Sequence, residues 1–179
     1  MKFLKLTIAS LLTSSALFAG TFNIDVSHSN VGFTVKHMMI TNVSGKFNDV
    51  TGSFEYDEKT NTLTSLSGEI IVASINTANE KRDTHLKADD IFDAEKFPKI
   101  EFKTTKIEDN AVYGDFTMKG VTKNIKLELE NGGVITDPKG NLRAGFELTG
   151  KISRKDFGIT WNKILETGGV TVGDEVKLQ

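Results

Sequence analysis

Apolar and polar positions alternate along most of this chain with a period of two. Between His28 and Met39, the residues Val31, Phe33, Val35, His37 and Met39 share one parity, and Gly32, Thr34, Lys36 and Met38 the other. Successive side chains of a strand point to opposite faces, so this stripe predicts a strand with one buried face. His37 is its one titratable member. The period returns in Phe22, Ile24 and Val26, across residues 43–56, and over residues 63–75, where Ile70, Val72 and Ser74 share a parity. It recurs in Ile100 and Phe102, in Val112, Phe116 and Met118, in Ile125, Leu127 and Leu129, and in Phe146, Leu148 and Ile152, ending with Val176 and Leu178. Residues 57–61, 108–110, 120–124 and 137–141 carry the turn formers between these runs.

One stretch breaks the pattern. Over residues 77–97, Thr77-Ala78-Asn79-Glu80 fits a capping box in front of a short charged helix from Lys81 to Lys87, and Pro98 bars helix at Phe97. Strands and turns without alternating helices predict an all-β fold with one short helical insertion, an antiparallel meander closed into a barrel or stacked as a sandwich.

Residues 1–19 read as a secretory signal peptide: a basic start at Lys2 and Lys5, an apolar run from Leu6 to Phe18, then Ala19 before the cut, with Ala16 as a competing site. The run is too short and wrongly flanked for a membrane span. Residues 20–179 remain as a single domain, expected in the periplasm or secreted. Without Lys2 and Lys5, the 22 basic residues become 20 against 24 acidic, a net charge of −4 that argues against nucleic acid and against anionic membrane surfaces as partners. The absence of cysteine excludes disulfides and thiol-linked lipid, so burial must hold the fold. Of 12 Phe, all but Phe3 and Phe18 lie in the domain, against two Tyr and one Trp. Phe brings apolar area without a polar handle, which suits an apolar lining as well as an ordinary core.

Four segments, in order, resemble the YceI-like family. These are His28-Ser29 with Val31-x-Phe33-x-Val35-x-His37 and Val43-x-Gly45-x-Phe47, then Phe92-Asp93 with Phe97-Pro98-x-Ile100-x-Phe102. The third runs from Gly114 through Phe116-Thr117-Met118-Lys119-Gly120 to Lys123. The fourth is Arg154-Lys155-Asp156-Phe157-Gly158-Ile159 with Val172-Gly173-Asp174-Glu175-Val176. The resemblance implies an eight-stranded antiparallel, lipocalin-like barrel that carries a polyisoprenoid chain inside. It implies no resident cofactor beyond such a lipid or an isoprenoid quinone.

The candidate lining comprises Phe33, Val35, Met39, Phe54, Ile70, Val72, Phe102, Phe116, Met118, Phe146 and Ile152, each equally readable as core. His37 is a rim candidate for a head group. Arg154 shares parity with Phe146 and Ile152, and could hold a phosphate or quinone oxygen or else pair with Asp156 or another carboxylate. His28, His37 and His85 show no metal-site spacing, and Gly168 to Gly173 lacks the lysine and spacing of a phosphate loop. The expectation is a non-catalytic carrier of an amphipathic long-chain isoprenoid lipid, with a homodimer left open. The alternative is an enzyme acting on a lipid with His37 as base, although no nucleophile elbow or paired carboxylates accompany it.

Overall fold

The computed structural model describes residues 19–166 and 168–179; the signal-peptide expectation falls, but for Ala19, outside them. Eleven strands form one antiparallel sheet: β1 (Ala19–Asn23), β2 (Val31–His37), β3 (Thr41–Phe47), β4 (Val50–Asp57), β5 (Thr62–Ile71), β6 (Ile75–Asn76), β7 (Lys99–Glu108), β8 (Ala111–Met118), β9 (Val121–Thr136), β10 (Leu142–Ser153) and β11 (Val172–Leu178). Their order is β1-β4-β5-β7-β8-β9-β10-β11-β2-β3-β6. The sheet curls into a barrel-like shell of the expected class, with eleven strands in place of eight. The three additional strands have simple origins. β1 and β6 are short edge strands. The region read as continuous from Val43 to Tyr56 is cut into β3 and β4 at Asn48-Asp49.

That cut is a corner of the shell. β3 and β4 adjoin in sequence yet lie near opposite ends of the strand order. Ser74 stitches the corner: its carbonyl accepts from Asn48 N at 3.2 Å, and its hydroxyl oxygen accepts from Asp49 N at 3.0 Å. Beyond β5 the chain coils through a 3₁₀ turn, Val72–Ser74, before β6 pairs with β3. This coil carries the chain from one side of the shell to the other.

The helix α1 (Glu80–Leu86) follows. Its cap is Asn79, whose side chain accepts from Arg82 N at 3.0 Å, and not Thr77 as the capping box predicts. Thr77 is buried and donates from its backbone N and hydroxyl to Asp83 Oδ1, at 2.9 and 2.5 Å. The box fails because Ala78, at φ +57°, lets the chain enter the helix two residues later.

The buried side chains fall into two clusters. One gathers Phe47, Val72, Ile75, Ile100, Met118 and Phe157; the other gathers Phe54, Tyr56, Leu63, Val112 and Leu129. Phe102 packs against both. Its ring also sets the backbone opposite: a Cβ on Gly114 would stand 2.3 Å from it, so only glycine fits there. Gly45, which faces Phe33 across β2 and β3, leaves the same kind of space, 2.5 Å from the Phe33 ring.

Candidate ligand cavity

The space between the two clusters is a cavity of about 1420 Å³. It exceeds the ~300–1,000 Å³ of typical small-molecule pockets and, at ~30 Å³ per water, equals the volume of roughly 50 water molecules. Alternate residues build its wall. β2 contributes Val31, Phe33, Val35 and His37, β5 Leu66 and Ile70, β7 Ile100 and Phe102, β8 Phe116 and Met118, and β10 Phe146, Leu148 and Ile152. The middle is hydrocarbon and aromatic ring. Phe54 stacks on Phe22 at 5.1 Å and meets Phe146 edge-on at 5.0 Å.

Besides Thr21, Asn23, Ser29, Asn30 and Gln179, the charged and ring-nitrogen side chains of the lining fall into two groups, apart from Arg154. In one, Asp25, His28, Asp137, Arg143 and Glu147 border the cavity and largely satisfy one another. Arg143 lies 3.1 Å from both Asp25 and Asp137, and His28 lies 3.0 Å from Asp25. Hydrogen bonds from Ser27 and His28 lower the Asp25 pKa to about 2. The backbone N–H of Asn141 leads a set of donors that does the same to Asp137.

In the other, α1 presents Lys81, Arg82, His85 and Leu86 to the cavity, beside Trp161, Thr171 and His37. His85 meets Trp161 edge-on at 5.0 Å and reaches Asp90 at 3.1 Å. Asn162, next to Trp161, holds Val172 through its backbone N–H and carbonyl, and Val172 pairs with His37. One continuous rim therefore runs from α1 to the end of β2. Among the described residues that line this rim there is no carboxylate.

Of the thirteen residues expected at the site, eleven border the cavity; Met39 and Val72 do not. β2 ends at His37, and Met38 and Met39 turn at φ +49° and +65°, which leaves Met39 exposed in the hairpin. β5 ends at Ile71, and the 3₁₀ turn swings Val72 into the core cluster, where it is 1% exposed.

Arg154 borders the cavity without offering it a donor. β10 ends at Ser153, and Arg154 opens a 3₁₀ turn, Arg154–Phe157. Nε donates to Gly173 O at 2.9 Å. Nη1 donates to Ile159 O and Trp161 O at 2.9 and 2.8 Å, and Nη2 to Val172 O and Asp174 Oδ1, both at 3.3 Å. A guanidinium has five N–H groups, and all five are engaged. Its carboxylate partner is Asp174, not Asp156. Burial pushes the guanidinium below its ordinary pKa, and the Asp174 charge opposes that.

Sequence reasoning missed the α1 contribution. Lys81, Arg82, His85 and Leu86 are spaced i, i+1, i+4 and i+5, which puts them on one helical face, and that spacing was the available signal.

An antiparallel shell curled around a mostly apolar cavity defines the class of small barrels with interior room for one small ligand. The chain belongs to the YceI-like family, whose domain matches residues 22–179. A UPF0312 protein of Staphylococcus aureus strain N315 is 40% identical over 159 residues, covering 88% of this chain and 93% of its own. The YceI protein of Campylobacter jejuni superposes with a TM-score of 0.65 at 36% identity, over 86% of this chain and 94% of that one. A polyisoprenoid-binding domain from Saccharophagus degradans shares the fold, with a TM-score of 0.58 at 13% identity over 87% and 92% of the two chains.

Proposed function

We propose that this protein is an exported, non-catalytic carrier that encloses the tail of a polyisoprenoid lipid or isoprenoid quinone. The observation that carries the reading is the cavity of about 1420 Å³ with its predominantly hydrocarbon and aromatic lining. Burying hydrocarbon is worth ~0.8 kcal/mol per CH₂, so ten carbons supply ~8 kcal/mol. That exceeds the lower estimates of ordering cost, which begin at ~4 kcal/mol. The fold shared with a polyisoprenoid-binding domain supports the tail chemistry, and the basic, apolar N-terminal segment supports export. The α1 rim, with Lys81, Arg82, His85 and His37, suits an oxygen-rich or anionic head group. Arg154 acts as a structural clamp.

Native mass spectrometry of purified protein, followed by titration with a polyprenol, tests the reading. Co-purified or added isoprenoid is expected at one per chain, and Leu148→Trp, which fills part of the wall, is expected to weaken uptake while the fold persists. Protein that is empty as purified and takes up no polyprenol would sink the proposal.

A further inference from the structure

Six large apolar side chains stand exposed among the described residues, and four of them share one place. They are Met38 (46% exposed), Met39 (57%), Ile40 (84%) and Ile164 (87%). Met38–Ile40 form the tip of the β2–β3 hairpin. Ile164 bridges to Val170 in the neighbouring loop. The two tips touch: Met38 N donates to Thr171 O at 2.7 Å, and Met39 Cγ lies 3.3 Å from where a Cβ on Gly169 would stand. Both tips continue directly into the rim made by His37, Thr171 and Trp161.

The hairpin holds its methionines out at a conformational cost. Met38 and Met39 both have positive φ, a region that hairpin tips normally fill with Asn or Gly. Relaxed turn residues there would have buried nothing and exposed nothing apolar. The cluster is instead a contiguous exposed apolar surface, which marks an interaction site. The net charge of −4 opposes an anionic surface for the domain as a whole, but the local balance at the tip is basic: in sequence, Lys36 and Lys163 adjoin the exposed residues, with Glu166 in the same loop.

We infer that this apolar tip docks on the surface of a lipid bilayer containing anionic headgroups, with the α1 rim facing the membrane. Thioether and branched aliphatic side chains enter the acyl boundary, and the flanking lysines stay at the phosphates. A second copy of the chain suits the patch less well, because self-association would bring the lysines of both copies together. The docking places the cavity rim against the source of its cargo, and to that extent it rests on the carrier reading.

The test is flotation of the chain beginning at Gly20 with vesicles of phosphatidylethanolamine and phosphatidylglycerol. This chain keeps every sheet pair except Ala19 with Asp57. Wild type is expected to float, and the combined variant Met39→Ser, Ile40→Ser, Ile164→Ser to partition at least about tenfold more weakly. Circular dichroism and melting should be unchanged, because the side chains replaced are exposed. The variant should still take up polyprenol delivered from ethanol. A wild type that stays below the vesicles, or a variant that floats equally, overturns the inference. So does a concentration-dependent dimer in sedimentation that the variant abolishes, since the patch is then a self-interface. A wild type that floats yet never takes up polyprenol overturns the carrier reading and leaves the docking in place.

Discussion

Replacing Arg154 by methionine removes the clamp between three segments while keeping a long apolar stem in place. Five hydrogen bonds disappear, four to backbone carbonyls of Ile159, Trp161, Val172 and Gly173 and one to Asp174. Counting each charge-assisted bond at ~1.5–3 kcal/mol overshoots, because the guanidinium also leaves water on folding. Breaking one partner of a buried ionic network costs ~3–5 kcal/mol, and that range applies here because the Arg154 side chain is only 6% exposed. Asp174 is 45% exposed and rehydrates, which holds the loss to the lower half of that range. For a domain of this size the melting temperature should fall by ~6–16 °C. Arg154→Lys keeps the charge but offers three donors from a point, and should recover less than half of the loss. Urea unfolding and calorimetry read both variants. A loss under ~1 kcal/mol in Arg154→Met refutes the clamp. Unchanged stability with lost lipid uptake refutes it as well, and makes Arg154 a head-group contact.

Three further outcomes are expected. Gly114→Ala puts a methyl 2.3 Å from the Phe102 ring and 2.8 Å from Lys103 O. Urea unfolding should show a loss of ~1–3 kcal/mol, with Phe102 displaced into the cavity. Asp25 and Asp137 have pKa values lowered from 3.8 to about 2, so the unfolded chain takes up their protons first as pH falls. Their stabilisation is complete above about pH 4 and disappears as pH falls toward about 2. Melting temperatures measured across that window should decline less steeply in Asp137→Asn than in wild type. Asn79→Ala removes the acceptor for Arg82 N and should cost ~1 kcal/mol by the same unfolding assay.

The strands were legible because a shell with one buried face imposes period two on its sequence. Phe33, Val35, Phe102, Phe116 and Phe146 all face the cavity, as their parity requires. Met39 and Val72 lie off the cavity, and Arg154 borders it with its donors turned to the backbone and Asp174, for one shared reason: parity was carried past the last residue of a strand. The backbone turns at Met38, coils at Val72 and coils again at Arg154, and each change of φ and ψ re-aims the side chain. Nothing in the residue types marks those ends, since Met, Val and Arg are not turn formers. The corner at Asn48-Asp49 carried a turn signal, yet apolar alternation on both sides concealed it. The rim on α1 depended on packing between a helix and a distant loop, which single-strand periodicity does not encode.

The division of the core into two clusters has a consequence for how the protein can be watched. Phe102 is the residue that packs against both, so an apolar molecule seated in the cavity supplies contacts that the chain itself lacks. Such a molecule binds the folded state alone, and mass action then raises the melting temperature in step with occupancy. On the carrier reading, the thermal transition thereby becomes a gauge of loading, its midpoint rising with the concentration of free ligand.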